Sequence, residues 1–474
     1  MPATHEYDLV VIGSGPAGEK GAAQVAYFGK RVALVEKEPV LGGAAANTGT
    51  LPSKTLRETA LFLSGFRHRE LSGIDVKVKE RVTISDFLFR ERVVKERERS
   101  RIAENLKRHK VGLYMGDAAF VDPHTIAVRP RHAAELHLRG EFMLIATGSY
   151  PHRPPVFPFH DPRVFDSDTI LTMTEIPRSM LVVGGGVIGC EYACMFTAIG
   201  VKVSLVETRE RLMPFLDGEI SDSMRQQMES LGVTFLMPDG VESVENDELI
   251  RVRLKSGTVV ETHTVLVASG RNGNTESLGL DRVGIAATKR GHIEVNGNYQ
   301  TSVPHIYAAG DVIGFPALAS TSMEQARTAM VHAFDLKYKK DIAPILPYGI
   351  FTIPECSMAG ETEESLKEKN VAYVVGRARY SNNARGQIVG DYDGFLKLIF
   401  REDDMKLLGV HMIGELATEL IHIGLTALLT GAGADLFVQS CYNYPTLTET
   451  YKYATYDALG ARARRQQAGS VATT

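Results

Sequence analysis

The chain has 474 residues, a formal net charge of -4 and four cysteines. At about 150 residues per domain, this length predicts roughly three domains, and the small net charge gives no electrostatic reason to expect nucleic acid or an anionic membrane as the main partner. The N-terminus has no basic region followed by an apolar run, so we expect a cytoplasmic protein that binds small soluble ligands. The cysteines form no zinc-like cluster, and no metal site is expected.

The first motif is a glycine-rich turn between a strand and a helix. An apolar run at residues 7–12 leads into Gly13, Gly15 and Gly18, and the next strand ends at Glu36, 18 residues after Gly18. In a βαβ unit, such glycines allow a tight turn and close approach to a diphosphate, while the acid binds a ribose hydroxyl. The spacing therefore predicts a dinucleotide-binding unit.

The same pattern recurs 171 residues later. An apolar run at residues 180–183 leads into Gly184, Gly186 and Gly189, and the following strand ends at Glu207, again 18 residues after the last glycine. A carboxylate here favours NAD(H), because it binds the ribose 2′-hydroxyl and repels a 2′-phosphate. Two guanidinium groups nearby, Arg209 and Arg211, favour NADP(H) instead. The sequence leaves both nucleotides open.

Three further regions complete the chain. Residues 85–111 are rich in charges of both signs, which predicts a helix with a solvated face rather than a nucleic-acid site. Proline-rich stretches near residues 150–155 and 342–347 indicate boundaries, and strand-like and helical segments alternate after the second one. The tail, residues 461–474, shows no apolar period and is predicted to be disordered.

The segment at residues 42–54, GGAAANTGTLPSK, resembles the active-site segment of the flavin-dependent pyridine nucleotide-disulfide oxidoreductases. The family's redox-active disulfide would occupy positions 45 and 50, which here are Ala45 and Thr50. Because a thiolate is needed to relay electrons from a flavin to a disulfide, this resemblance implies a different electron acceptor. Cys190 and Cys194, four residues apart on a predicted helix, are interpreted as small packing residues.

The resemblance implies a two-nucleotide fold. It predicts an α/β chain with two Rossmann-like domains, FAD-binding (1–150 and 271–342) and NAD(P)-binding (151–270), followed by an α+β dimerisation domain (343–460) that makes a homodimer or higher homo-oligomer. The residues that it assigns to cofactor binding, besides the glycines and acids above, are Gly43, Thr50, Lys54, Thr147, Gly148, Gly270, Arg271 and Asp311.

The same resemblance implies four catalytic residues. Lys54 would lie beside the flavin, where a cation stabilises the reduced ring, and Glu191 would pair with it. The family's catalytic His-Pro-Thr is Tyr-Pro-Thr here, beginning at Tyr444, and Glu449 follows. Tyrosine is a poor base at neutral pH, so the thiol relay and its base are both missing. Tyr444 is equally consistent with interface packing and with gating the flavin of a partner subunit.

Within the family, the chain looks most similar to the soluble pyridine nucleotide transhydrogenases. That resemblance implies ping-pong hydride transfer between NADPH and NAD+ through FAD, without a disulfide. Two alternatives stay open: an NAD(P)H:quinone or diaphorase-type reductase, and a non-catalytic flavoprotein sensor.

Overall fold

The structure is a computed structural model that describes residues 2–65, 82–338 and 341–471. The first part of the chain forms β1 (Ala3–Ile12), α1 (Pro16–Tyr27), β2 (Val32–Glu36), α2 (Gly43–Asn47), α3 (Thr50–Leu63), α4 (Ile84–Arg108), β3 (Gly112–Met115), β4 (Asp117–Asp122), β5 (Thr125–Arg129), β6 (Leu136–Ile145) and β7 (Ser149–Pro151). The middle part forms β8 (Val164–Asp166), β9 (Ser179–Val183), α5 (Val187–Ala198), β10 (Lys202–Val206), α6 (Gly218–Leu231), β11 (Thr234–Leu236), β12 (Val241–Asn246), β13 (Ile250–Leu254), β14 (Val259–Thr262), β15 (Thr264–Val267), β16 (Arg271–Gly273), β17 (Ile306–Ala308) and α7 (Ala319–Ala333). The last part forms β18 (Tyr348–Ile350), β19 (Cys356–Gly360), α8 (Glu363–Glu368), β20 (Tyr373–Arg379), α9 (Ala384–Val389), β21 (Phe395–Arg401), β22 (Leu407–Ile413), α10 (Ala417–Thr430), α11 (Ala434–Gln439) and α12 (Thr450–Val471).

The first sheet has seven strands in the order β3-β2-β1-β6-β5-β4, with β17 also paired to β6. β1 runs parallel to β2 and β6, and its last four residues are buried, as expected of a strand covered on both faces. The chain leaves β1 at its carboxyl end, between β2 and β6, where the strand order reverses. Ligands of doubly wound sheets bind at such switch points.

The second sheet repeats this arrangement on a smaller scale. Its five strands, in the order β11-β10-β9-β15-β8, are all parallel, and the chain leaves the central strand β9 directly before Gly184. A three-stranded antiparallel sheet, β12-β13-β14, follows in sequence. Both glycine-rich turns thus lie at the carboxyl end of a central parallel strand.

The C-terminal part is a five-stranded antiparallel sheet, β18-β19-β22-β21-β20, that packs against α10 and α12. A continuous apolar core joins it to the other two parts, because Leu56 of α3, Phe196 of α5 and Ile350 of β18 belong to one buried cluster. The predicted α/β class is confirmed. No helix in the described ranges is long and apolar enough to cross a lipid bilayer.

Disorder was expected for residues 461–474, but residues 461–471 are helical, and residues 472–474 lie outside the described residues. Helix α12 continues to Val471. Ala, Arg and Gln are strong helix formers, and they dominate this segment. Arg465 donates from Nη1 to the carbonyl of Tyr373 over 2.7 Å, so the helix is also tied to β20.

Candidate active site

Both glycine-rich turns open into one cavity of about 1800 Å³. Since a pocket for one drug-sized ligand is about 300–1,000 Å³, this cavity has room for more than one nucleotide. The predicted site residues that line it are Gly13, Gly15, Glu36, Gly43, Thr50, Lys54, Thr147, Gly148, Gly184, Gly186, Glu191, Glu207, Arg209, Gly270, Arg271 and Asp311.

The first turn requires glycine at two of its three glycine positions, Gly13 and Gly18. Gly13 has φ +102, and a Cβ there would lie 2.4 Å from the carbonyl oxygen of Ala146. A Cβ on Gly18 would lie 1.8 Å from the carbonyl oxygen of Gly13, so α1 packs directly on the turn. By contrast, a Cβ on Gly15 would meet only the Cα of Gly43, at 3.9 Å. Gly15 and the N-terminus of α1 therefore border the open cavity, which suits an anion.

The acid of the first unit is held by neutral donors. Glu36 is 5% exposed, and its Oε2 accepts hydrogen bonds from the backbone N and Oγ of Ser14, at 2.9 and 2.6 Å. Its Oε1 accepts from the backbone N of Glu38 at 2.8 Å. The same Ser14 Oγ accepts from the backbone N of Gly42 at 2.9 Å, so one serine joins the turn, the acid and the 42–54 segment.

The second turn has the same geometry. Gly184 has φ +108, and a Cβ on Gly189 would lie 1.9 Å from the Gly184 carbonyl oxygen. Nothing lies within 4 Å of a Cβ placed on Gly186, which precedes the first residue of α5. A second helix N-terminus is therefore open to the cavity.

The acid of the second unit is held by a cation. Glu207, also 5% exposed, accepts from the backbone N of Gly185 at 2.7 Å. Arg209 donates to it from Nε at 3.0 Å, from Nη2 at 2.9 Å and from its backbone N at 2.9 Å. Burial alone would raise the pKa of Glu207, but the hydrogen bonds and charge of Arg209 outweigh burial and lower the pKa to about 2. The pair is therefore fully ionised at neutral pH.

An ion pair joins the two units across the cavity. Lys54 of α3 donates from Nζ to both carboxylate oxygens of Glu191 on α5, at 2.9 and 2.7 Å. Glu191 is 3% exposed and also accepts from the backbone N of Phe351, at 3.0 Å. The Lys54 ammonium lies 4.9 Å from the centre of the Phe351 ring. All three parts of the chain thus fix this one cation.

A second hydrogen-bond network lies where the segments that follow β6 and β17 line the cavity. Asp311 accepts from Ser149 Oγ at 2.8 Å, and Ser149 Oγ in turn accepts from Arg271 Nε at 2.8 Å. Arg271 also donates to Asp168 from Nη1 at 3.0 Å. The second carboxylate oxygen of Asp311 remains available for a ligand hydroxyl, because Oδ1 accepts no hydrogen bond from the described residues.

Unpartnered polar atoms indicate that the cavity walls suit a polar, elongated ligand. Three residues on these walls carry a buried side-chain oxygen that lacks a hydrogen-bond partner in the described chain: Thr48, Thr147 and Tyr192. Buried polar atoms are normally satisfied, so such atoms favour a bound ligand or water. Together with the two open helix N-termini, the residues fit a flavin dinucleotide and a second dinucleotide.

Five predicted site residues do not line the cavity. The guanidinium of Arg211 is 3.4 Å from Glu364 and 3.6 Å from Asp222, because α8 and α6 present acids to it. It therefore does not join Arg209. Tyr444 lies between α11 and α12 in the C-terminal part and is 75% exposed. Glu449, in the same connection, is half-buried. Gly18 and Gly189 also do not line the cavity, because each packs its helix against the glycine-rich turn.

Several cavity residues had no signal in the sequence. Phe351, Tyr348 and Phe315 reach the cavity through tertiary contacts, and the rings of Tyr348 and Phe315 stack with centres 6.0 Å apart. Lys95 and Arg99 line it from α4, although their segment was interpreted as a solvated helix face. Unlike the aromatic residues, Lys95 and Arg99 did have a sequence signal, because two basic residues four apart share one helix face. The mixture of charges around them obscured it.

The four cysteines are free thiols, and three of them are buried. Cys190, Cys194 and Cys356 are fully buried, and all four cysteines are free thiols in this structure. Burial raises the pKa of each of the three buried thiols above its usual value. Thiols in such surroundings are poor nucleophiles.

Comparison with known proteins gives consistent matches over nearly the whole chain. Residues 7–333 match the family described as pyridine nucleotide-disulphide oxidoreductase, and residues 346–455 match its dimerisation domain. A soluble pyridine nucleotide transhydrogenase from Mycobacterium bovis is 46% identical over 456 residues, 96% of this chain and 97% of the relative. Another from Chromohalobacter salexigens is 40% identical over 463 residues, 96% of this chain and 99% of the relative.

Solved structures show the same architecture. The HOCl-induced flavoprotein disulfide reductase RclA from Escherichia coli superposes with a TM-score of 0.85 at 26% identity, covering 95% of this chain and 99% of that one. LpdA from Mycobacterium tuberculosis superposes with a TM-score of 0.87 at 24% identity, covering 96% and 99%, which is a likeness of fold.

Proposed function

Because this chain belongs to the pyridine nucleotide-disulphide oxidoreductase family, we propose that it is an FAD-dependent enzyme that transfers hydride from NADPH to NAD+. The observation that carries the proposal is the Lys54–Glu191 ion pair, which joins the two dinucleotide units inside one cavity. Identities of 46% and 40% to proteins named soluble pyridine nucleotide transhydrogenase support nicotinamide nucleotides as both donor and acceptor.

The first unit holds FAD and the second holds the nicotinamide nucleotide. Bound FAD supplies a carrier for two electrons. The N-terminus of α1 and Gly15 would hold its diphosphate, and Asp311 would accept a hydrogen bond from its ribityl chain. Lys54 would stabilise negative charge on the reduced flavin, and Glu191 holds the Lys54 ammonium in place. Thr50 and Gly43 line the same wall.

The missing thiols determine how the electrons leave. Ala45 and Thr50 offer no disulfide, and in this proposal a second nicotinamide nucleotide collects the hydride at the site where the first one delivered it. The mechanism is then ping-pong. NADPH loses a hydride and leaves as NADP+, and NAD+ enters, gains that hydride and leaves as NADH. The two half-reactions balance without an added proton.

One site must therefore accept nucleotides with and without a 2′-phosphate. Glu207 suits the ribose 2′-hydroxyl of NAD(H), and Arg209 is the cation closest to it that can bind the 2′-phosphate of NADP(H). The guanidinium fork fits a carboxylate and a phosphate equally well, so Arg209 exchanges one anion for the other. Arg211 takes no part, because it does not line the cavity and instead lies beside Asp222 and Glu364.

The C-terminal part pairs two copies of the chain. The match to a dimerisation domain supports a homo-oligomer, and a homodimer is the simplest form. Tyr444, with its ring 75% exposed on one copy, then covers the flavin edge of the other, and Glu449 positions it.

Single-turnover kinetics test the proposal. FAD-loaded enzyme is reduced anaerobically by one equivalent of NADPH, freed of NADP+, and mixed with NAD+ in a stopped-flow instrument. We expect flavin absorbance to be lost in the first step and restored in the second, with one NADH formed per site. If NADPH leaves the flavin absorbance unchanged, the proposal is wrong. A quinone that restores the absorbance much faster than NAD+ favours the diaphorase alternative, and bound FAD without any turnover favours the sensor.

A further inference from the structure

One face of helix α4 carries two cationic residues followed by two apolar ones, and the cationic residues line the cavity. Lys95, Arg99, Ile102 and Leu106 are spaced four, three and four residues apart, so they share one helix face. Ile102 and Leu106 are 3% and 2% exposed in the core beside α1 and β1. Lys95 and Arg99 line the cavity. Because the apolar half is packed, the cationic half is held in place over the cavity.

Arg99 is connected to the N-terminus of α1 through short contacts. Its Nε donates to Asn47 Oδ1 over 2.7 Å, and Asn47 Nδ2 donates to the carbonyl oxygen of Gly43 over 2.8 Å. Gly43 packs on Gly15, since a Cβ on Gly43 would lie 2.9 Å from the Gly15 Cα. The guanidinium is thus anchored beside the turn that faces the open helix end.

The charge of Arg99 is the one that stays available on this face. Lys95 is ion-paired at 2.7 Å with Glu91, which is 2% exposed, so the positive charge of Lys95 is compensated. The contact of Arg99 Nη1 with Glu96 is 3.6 Å long, and the Glu96 side chain is 73% exposed, so solvent screens it. Within the described residues, Arg99 Nη2 has no hydrogen-bond partner.

We propose that Arg99 binds the diphosphate of the dinucleotide held by the first unit, and that Asn47 is its positioning residue. The inference rests on the proposed function only in naming that dinucleotide as FAD. The N-terminus of α1 contributes about half of one positive charge, whereas a diphosphate carries about two negative charges. A planar guanidinium fixed at Nε can offer two parallel N–H donors to phosphate oxygens, which no lysine can do.

Flavin binding to the apoprotein tests this inference without measuring turnover. FAD is removed, and its dissociation constant is measured by quenching of flavin fluorescence, at low and high salt, for the parent and for Arg99→Gln, Arg99→Lys, Asn47→Ala and Arg101→Gln. The last variant is the matched control. Arg101 lies on the same helix and does not line the cavity. It is ion-paired with Glu98 at 2.6 Å and with Glu19 at 3.5 Å, and Glu19 keeps its ion pair with Lys20 at 3.0 Å when Arg101 is replaced.

We expect Arg99→Gln to bind FAD about ten- to a hundred-fold more weakly, as for other hydrogen bonds to charged groups, and with a smaller salt dependence. Arg99→Lys should be intermediate, because it keeps the charge but loses the fork. Asn47→Ala should weaken binding yet keep the parent's salt dependence, since the cation remains. Equal FAD affinities for Arg99→Gln and Arg101→Gln would overturn the inference while leaving the proposed function intact. A parent that binds no FAD would overturn both.

Discussion

The two glycine-rich turns share one backbone geometry, but their acids have different partners. The first glycine has φ +102 in the first turn and φ +108 in the second. A Cβ built on the third glycine would lie 1.8 Å from the carbonyl oxygen of the first glycine in the first turn, and 1.9 Å in the second. Glu36 and Glu207 are both 5% exposed. In the described chain, Glu36 accepts hydrogen bonds from neutral groups of Ser14 and Glu38, whereas Glu207 is paired with Arg209.

This difference matches the different tasks proposed for the two units. Neutral donors that are part of the backbone and of one buried serine cannot move away, so the Glu36 site has one arrangement, which suits a permanently bound cofactor. A guanidinium that is 48% exposed can leave its carboxylate for another anion. The Glu207 site therefore has two arrangements, which suits two substrates that bind in turn.

The largest expected effect comes from adding a methyl group to the third glycine of each turn. In Gly18→Ala and Gly189→Ala, the new Cβ meets a backbone oxygen that cannot move, so we expect local destabilisation of about 3 kcal/mol or more in each. Gly18→Ala should be purified without flavin. Gly189→Ala should retain flavin but lose its reduction by NADPH. The ratio of flavin to protein absorbance and an NADPH titration measure the two outcomes. If Gly189→Ala also lost its flavin, the two turns would not serve separate nucleotides.

A smaller loss is expected when the charge that links the units is removed. Lys54→Met leaves both turns intact but removes the ion pair with Glu191, and we expect flavin reduction by NADPH to slow about a hundred-fold. Flavin content and the NADPH dissociation constant should change little. Lys54→Arg is the control, because it keeps the positive charge. Equal rates for Lys54→Met and the parent would show that the ion pair serves packing alone.

The exchangeable partner of Glu207 can be tested by two neutral substitutions. At about pH 8, where a phosphate monoester with a second pKa of about 6 is fully charged, Arg209→Gln should weaken NADPH binding about tenfold relative to NADH. Glu207→Gln should shift the preference the other way, because it frees Arg209 and removes a repulsive charge. Arg211→Gln is the control and should leave the ratio of the two dissociation constants unchanged. A shift in that ratio for Arg211→Gln as large as for Arg209→Gln would contradict the assignment.

The sequence predicted the parts of the site that depend on local geometry. The spacing of Gly13, Gly18 and Glu36 is tied to one βαβ unit, so a turn and its acid can be inferred from the residues alone. The partners of those acids could not be inferred in the same way. Arg209 and Arg211 are two residues apart and chemically identical, yet only tertiary neighbours from α6 and α8 separate their roles. Phe351 directly follows β18 and contacts the Lys54–Glu191 pair although it lies 160 residues after Glu191 on the chain, a contact that no local pattern encodes.

The smallest expected effect concerns pH. Arg209 lowers the pKa of Glu207 to about 2, so the ion pair is complete above the usual carboxyl pKa and is lost only as the pH falls through about 2. The Glu207 contribution to NADH affinity should therefore change less than about two-fold between about pH 5 and about pH 8. In Arg209→Gln, burial is no longer opposed by a cation, and the carboxyl should begin to protonate within this range. We then expect NADH affinity to fall toward acid pH in Arg209→Gln relative to the parent. NADH is the right probe, because the 2′-phosphate of NADPH itself titrates near pH 6. Parallel pH profiles for the two proteins would mean that Glu36 and Glu207 are both held by their backbone donors, and that the cation is not what distinguishes the second unit.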